Sequence, residues 1–146
     1  MEKMKVAIIG CGAIANGAHE PAYEKARDIA EVKYFVDLIP ERAQALRDKY
    51  GAGEAITDYQ VVVNDPEISC VSVCTPNYTH APISIDFLRA KKHVLCEKPA
   101  AVNAELAAEM QKAADENGVM LNIGVCNRFN TAVMKIEELI RAGELG

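Results

Sequence analysis

The 146-residue sequence has no excess of basic charge: 16 Lys and Arg stand against 21 Asp and Glu, a formal net charge of −5. Such a chain displaces few counterions from a polyphosphate, so nucleic acid is excluded as its natural partner. It also lacks long apolar runs. None approaches the roughly 20 residues that cross a bilayer. The opening Met1-Glu2-Lys3-Met4-Lys5 is basic, but only the short stretch Val6–Ile9 follows before Gly10, which does not read as a secretory leader. The expected compartment is the cytoplasm. The five cysteines, at 11, 70, 74, 96 and 126, form no Cys-x-x-Cys pair and no metal-like spacing. Cys70 and Cys74, on one strand, would stand about 13 Å apart, too far for a disulfide. All five read as reduced. Internal repeats, low-complexity segments and linkers are missing as well. What remains is an ordinary globular composition, half hydrophobic and a quarter charged, and a length suited to one domain over residues 1–146.

Within that domain, strand-like and helix-like stretches alternate. Val6–Ile9, Val32–Val36, Ile68–Val73, Val94–Cys96 and Val119–Ile123 are short apolar or β-branched runs, with a weaker one at Glu54–Ile56. Helical periods fill the intervals: Ile14–Ile29, Glu41–Tyr50, Tyr59–Asn64, His80–Lys91, Ala104–Asn117 and Thr131–Ala142. The alternation predicts a doubly wound α/β fold, a parallel sheet covered by helices on both faces. Asn103 is placed to cap the helix after it. Asn77 or Thr79 could cap the one that runs through Pro82.

The junction Gly10-Cys11-Gly12-Ala13-Ile14-Ala15 gives this fold a purpose. It follows a strand and opens a helix, the setting in which a Gly-x-Gly-x-x-Ala loop holds a diphosphate. Gly10 allows the tight turn and Gly12 lets the backbone approach the ligand. Ala15 lets helix pack on strand, and free N–H groups at the helix start meet the anion. A glycine turn chosen only for packing is the alternative. Cys11, beside a helix N-terminus, would have its thiol pKa lowered if the site were empty. Asp37 ends the second strand 25 residues after Gly12, near the spacing of an acid that accepts from both adenosine ribose hydroxyls. A carboxylate there repels a 2′-phosphate, and Leu38-Ile39-Pro40 supplies no adjacent arginine. NAD is therefore expected over NADP, with Arg42 the nearest residue that could fold back on a phosphate.

Two further segments fall at strand ends on the same edge. In Cys74-Thr75-Pro76-Asn77-Tyr78-Thr79-His80, residues Thr75 to Asn77 either lie along a cofactor or form a proline turn with an Asx cap. His80 reads better as a backbone-bonded first-turn histidine than as a base. In Cys96-Glu97-Lys98-Pro99, a lysine held beside a nicotinamide can bond a substrate hydroxyl and offset a developing alkoxide.

Taken in order, GCGAIA, VD at 36–37, CTPNYTH, KKHVLCEKP and CNRFN resemble the Gfo/Idh/MocA family, the NAD(P)-dependent glucose–fructose oxidoreductases, inositol dehydrogenases and their kin. The likeness covers the whole chain and is most specific at HVLCEKP. It implies cofactor contacts for Gly10, Gly12, Ala13, Ile14, Asp37, Thr75, Asn77, His80, Glu97 and Lys98. Lys98 is implied as the catalytic residue, touching nicotinamide ribose and substrate, with a cis Lys98–Pro99 peptide. Arg128, within Asn127-Arg128-Phe129, is implied near the cofactor and a domain interface. Lys91 departs from the pattern, standing where relatives carry a helix-ending glycine. The resemblance also implies a C-terminal α/β substrate domain, supplying an aspartate and a histidine for proton transfer, that begins just after the Gly143-Glu144-Leu145-Gly146 turn. Residues 1–146 would then be the Rossmann half of an enzyme that moves a hydride to or from a hydroxyl-bearing carbon of a sugar or polyol. Alone, that half would not be catalytically competent. The alternative is a stand-alone dinucleotide-binding sensor without catalysis. Apolar side chains at Phe129, Val133, Ile136 and the tail are expected to lie exposed where the second domain would pack, unless the chain pairs with itself as a homo-oligomer.

Overall fold

A computed structural model describes residues 3–145. Strand β1 (Met4–Ile9) shows why the sheet is central. Val6 and Ile8 point to one face and Ala7 and Ile9 to the other, all at most 2% exposed. A strand apolar on both sides has to be covered on both sides. The rest of the sheet is β2 (Ala30–Val36), β3 (Glu54–Ile56), β4 (Ile68–Val73), β5 (His93–Cys96) and β6 (Leu121–Ile123). All pairings are parallel, in the order β3-β2-β1-β4-β5-β6. The chain winds outward from β1 through β2 to β3, then returns to lay β4 against the other side of β1. The winding reverses between β1 and β4, so their carboxyl ends open a crevice.

Helices α1 (Glu20–Lys25) and α2 (Pro40–Tyr50) cover the face of Val6 and Ile8, with Phe35, Leu46 and Tyr50 in that core. Helices α4 (His80–Arg89) and α5 (Ala104–Asn117) cover the other, with Val71, Phe87, Leu88 and Met110 fully enclosed. Each such side chain contributes about 1.5–3 kcal/mol by leaving water. The short α3 (Gln60–Asn64) lies between β3 and β4, and α6 (Thr131–Arg141) closes the described chain. Asn103 caps α5 as expected, its Oδ1 accepting from Leu106 N–H at 2.9 Å.

Three local expectations are corrected. The first helix does not run from Ile14 to Ile29 as a regular α-helix. It is π-helical over Ala15–His19, where Glu20 N–H bonds Ala15 O, and it stops at Lys25. Pro21 accounts for the wide turn: it has no N–H, and its ring crowds the carbonyl four residues back. Asn16 O, free of helical duty, accepts instead from Lys49 Nζ of α2 at 2.8 Å. At the start of α4, neither Asn77 nor Thr79 makes a side-chain cap. Thr79 Oγ1 turns back to Thr75 Oγ1 and Pro76 O, at 2.8 and 2.7 Å. Strand β6 begins at Leu121, two residues later than expected, because Val119 N–H closes the end of α5 on Ala114 O. Among the described residues no helix is long and apolar enough to cross a membrane.

Candidate functional site: a dinucleotide crevice

The carboxyl ends of β1, β2, β4 and β5 carry nearly every residue singled out from the sequence. Gly10 leaves β1 with φ +91°, and a Cβ there would sit 2.7 Å from the Cys74 carbonyl oxygen. Only glycine lets the loop cross so close to the end of β4. Around Gly12 the reverse holds: a Cβ would meet nothing within 4 Å. The space above it is open to a ligand. The N–H groups of Gly12, Ala13 and Ile14 precede the first helical bond, Asn16 N–H to Gly12 O, and find no acceptor among the described residues. Three free donors around an open glycine fit a diphosphate.

Asp37 sits half-buried at the end of β2. Its Oδ2 accepts the Cys11 N–H at 2.8 Å and its Oδ1 the Ile39 N–H at 2.9 Å. The acid is thus fastened to the glycine loop itself. Arg42, on α2, is exposed.

Cys11 corrects the expectation of a lowered thiol pKa. It is buried, its Sγ 3.5 Å from Val36 O. Burial first, and the Asp37 charge second, push its thiol up to about 12. The helix start beside it does not outweigh them. Burial raises Cys70 and Cys96 as well, each to about 11, and Cys74 further. All five cysteines are free.

The Thr75 segment leaves β4 with Thr75 half-buried and Asn77 exposed. His80 is 1% exposed, its Nδ1 2.6 Å from Pro99 O and its Nε2 2.8 Å from Thr75 O. With both ring nitrogens held by backbone carbonyls, it matches the backbone-bonded reading. It ties the turn after β4 to the turn after β5.

At the end of β5, Glu97 points inward and Lys98 outward. The Lys98–Pro99 peptide is cis, and Lys98 Nζ has no hydrogen-bond partner among the described residues. Glu97 Oε1 is 2.9 Å from His19 Nε2, a partner the sequence reading missed. Arg128 is exposed in the short 3₁₀ turn Cys126–Phe129 after β6. The crevice groups are therefore brought together at one edge of the sheet.

A family model described as an oxidoreductase family with an NAD-binding Rossmann fold, Gfo/Idh/MocA, matches residues 4–125. The chain belongs to the Gfo/Idh/MocA oxidoreductase family. It is 35% identical over 143 residues to a D-glucoside 3-dehydrogenase of Escherichia coli and 32% identical over 145 residues to an inositol 2-dehydrogenase of Salmonella paratyphi B. These alignments take in 98% of the chain, which spans 40% and 43% of those relatives' own length. Among solved structures it resembles the WlbA dehydrogenase of Bordetella pertussis bound to NADH and UDP-GlcNAcA, with a TM-score of 0.90 at 30% identity over 99% of this chain and 44% of the other. It also resembles an NADP-bound 3-ketoreductase of Actinomadura kijaniata, with a TM-score of 0.89 at 28% identity over 99% and 45%. Residues 4–125 thus correspond to the NAD-binding Rossmann part of this oxidoreductase family.

Proposed function

We propose that the chain is the NAD-binding half of an oxidoreductase that transfers a hydride between nicotinamide and a hydroxyl-bearing carbon of a sugar or polyol. The observation that carries this reading is the bond from Cys11 N–H to Asp37 Oδ2. It locks the anion loop and the ribose-binding acid into one surface at the switch point of the sheet. Gly10 makes the turn, while Gly12, Ala13 and Ile14 present N–H groups to the diphosphate. Asp37 takes the adenosine ribose hydroxyls, and Thr75 and Asn77 line the path toward β5. His80 acts indirectly, by holding the Thr75 and Pro99 carbonyls. A bound nicotinamide ring supplies the hydride acceptor or donor. Lys98, whose Nζ has no hydrogen-bond partner among the described residues, is assigned to bond the nicotinamide ribose and the substrate hydroxyl, where its charge offsets a developing alkoxide. Arg128 would join only where cofactor or a further domain approaches β6. The sugar or polyol class rests on what the relatives' names say they act on, inositol and a glucoside. The remaining pocket and proton-transfer groups are assigned to a substrate domain like that in the rest of those longer relatives.

NAD is preferred over NADP because the Asp37 carboxylate lies where a 2′-phosphate would fall, and Leu38 rather than a cation follows it. A close like-charge contact at surface-like dielectric costs on the order of 1–4 kcal/mol. Calorimetric titration with both cofactors should therefore find NAD+ at least about fivefold tighter, and Asp37→Ala should narrow the gap. Equal or reversed wild-type affinities would remove Asp37 from this role.

A further inference from the structure

His19 ends the π-helical turn and is 9% exposed, with its Nε2 directed at a carboxylate 78 residues away in sequence. A carboxylate only accepts, so Nε2 carries the proton in this bond. The same carboxylate is held on two other sides. Its Oε2 accepts the Lys98 backbone N–H at 3.3 Å. Gly124, bonded through its N–H to Cys96 O at 2.8 Å, leaves just enough room for it: a Cβ at 124 would come within 3.1 Å of Glu97 Oε1. Glu97 is thus clasped between the cofactor helix, its own strand end and the end of β6. Lys98 Nζ makes no bond among the described residues, so its aim is set by the backbone that Glu97 anchors.

The order of the strands says which part of a ligand this clasp serves. Asp37 ends β2 and the glycine loop follows β1, while Glu97 and Lys98 end β5, on the far side of β4. A dinucleotide laid from Asp37 across the loop presents its second mononucleotide to β4 and β5. We infer that His19 is a positioning residue for that second half: through Glu97 it holds the Lys98 segment over the nicotinamide riboside and leaves the adenosine half untouched. The inference rests on the dinucleotide reading above. Without the ring, a largely buried carboxylate keeps one long backbone donor. It turns toward water to recover its hydrogen bonds, and the Lys98 segment moves with it.

Titration with NAD+ and with ADP, which lacks the nicotinamide riboside, separates the two halves. His19→Leu should weaken NAD+ about tenfold, the scale of one lost charge-assisted bond, and change ADP affinity less than about twofold. His19→Gln, whose amide reaches the same carboxylate, should recover most of the NAD+ affinity. His19→Asn, polar but too short to reach, should behave like His19→Leu and serves in its place if the leucine variant does not fold. Equal losses for NAD+ and ADP would overturn the role of His19, as would NAD+ affinities unchanged in the leucine and asparagine variants or not recovered in the glutamine variant. Wild-type protein that binds neither ligand would overturn the dinucleotide reading itself, and this inference with it.

Discussion

At the scale of single residues, two glycines two positions apart do different work. Gly10 holds a backbone conformation that side chains rarely adopt and lies against the end of β4; a Cβ at Gly12 would meet nothing within 4 Å. Gly10→Ala should therefore cost at least about 2 kcal/mol of stability, read as a lower urea midpoint. Gly12→Ala should leave stability within about 0.5 kcal/mol yet weaken NAD+ at least about tenfold. If Gly12→Ala lowered stability as Gly10→Ala does, the open space above it would not be a ligand's. Lys91 offers an opposite test. Among the described residues it is the non-glycine residue with positive φ, at +60°, in a turn where Lys92 N–H bonds Phe87 O and Lys91 N–H bonds Leu88 O. That is the helix end which glycine usually completes, and the sequence flagged the missing glycine. Lys91→Gly relieves about 1–2 kcal/mol of backbone cost against roughly 0.5–1 kcal/mol of added chain entropy. The expected gain is up to about 1.5 kcal/mol, seen as a higher urea midpoint; a lower one would contradict the strain.

Elements were legible where a pattern is local and hidden where it is not. The buried strands announced themselves through Val and Ile runs, and Asn103 before Ala104 gave the start of α5. Pro21 was equally visible, but its effect depends on a helix that continues through it by widening. The His19–Glu97 bond had no local signal at all, because a helix and a strand end 78 residues away create it. Thr79 misled for a related reason: its hydroxyl turns back to donate to Pro76 O instead of accepting from a helix N–H. The join between β2 and the turn before β4 was also silent in sequence. There Asp65 accepts from Lys33 Nζ at 2.5 Å, Tyr34 OH at 2.9 Å and Glu67 N–H at 2.9 Å. Burial alone would raise this carboxyl, but the Lys33 bond and the others outweigh it and hold it at about 2. Since that lies below the unfolded value near 3.9, the stabilisation is present above about pH 4 and is lost as pH falls toward 2. Wild type should exceed Asp65→Asn in urea midpoint at pH 7, and the difference should shrink between pH 4 and 2. A pH-independent difference would mean that the cluster acts by shape rather than charge.

Across the whole molecule, chemistry gathers on one edge of the sheet and unsatisfied surface on one end. Phe129, Val133, Met134, Ile136 and Ile140 are all at least 42% exposed, along α6 and the turn before it. This matches the expectation of an uncovered apolar face beside Arg128, on a chain that spans 40% and 43% of those relatives' length. The central claim concerns the other edge: a dinucleotide lies from Asp37, over the glycine loop, to Lys98. Amide chemical-shift mapping of ¹⁵N-labelled protein during an NAD+ titration tests it most directly. The predicted result is saturable change at residues 11–15, 37–39, 75, 77, 97 and 98, with the opposite edge around Lys5 and Glu67 unmoved. No change at high NAD+, or change confined to that opposite edge, would contradict the account.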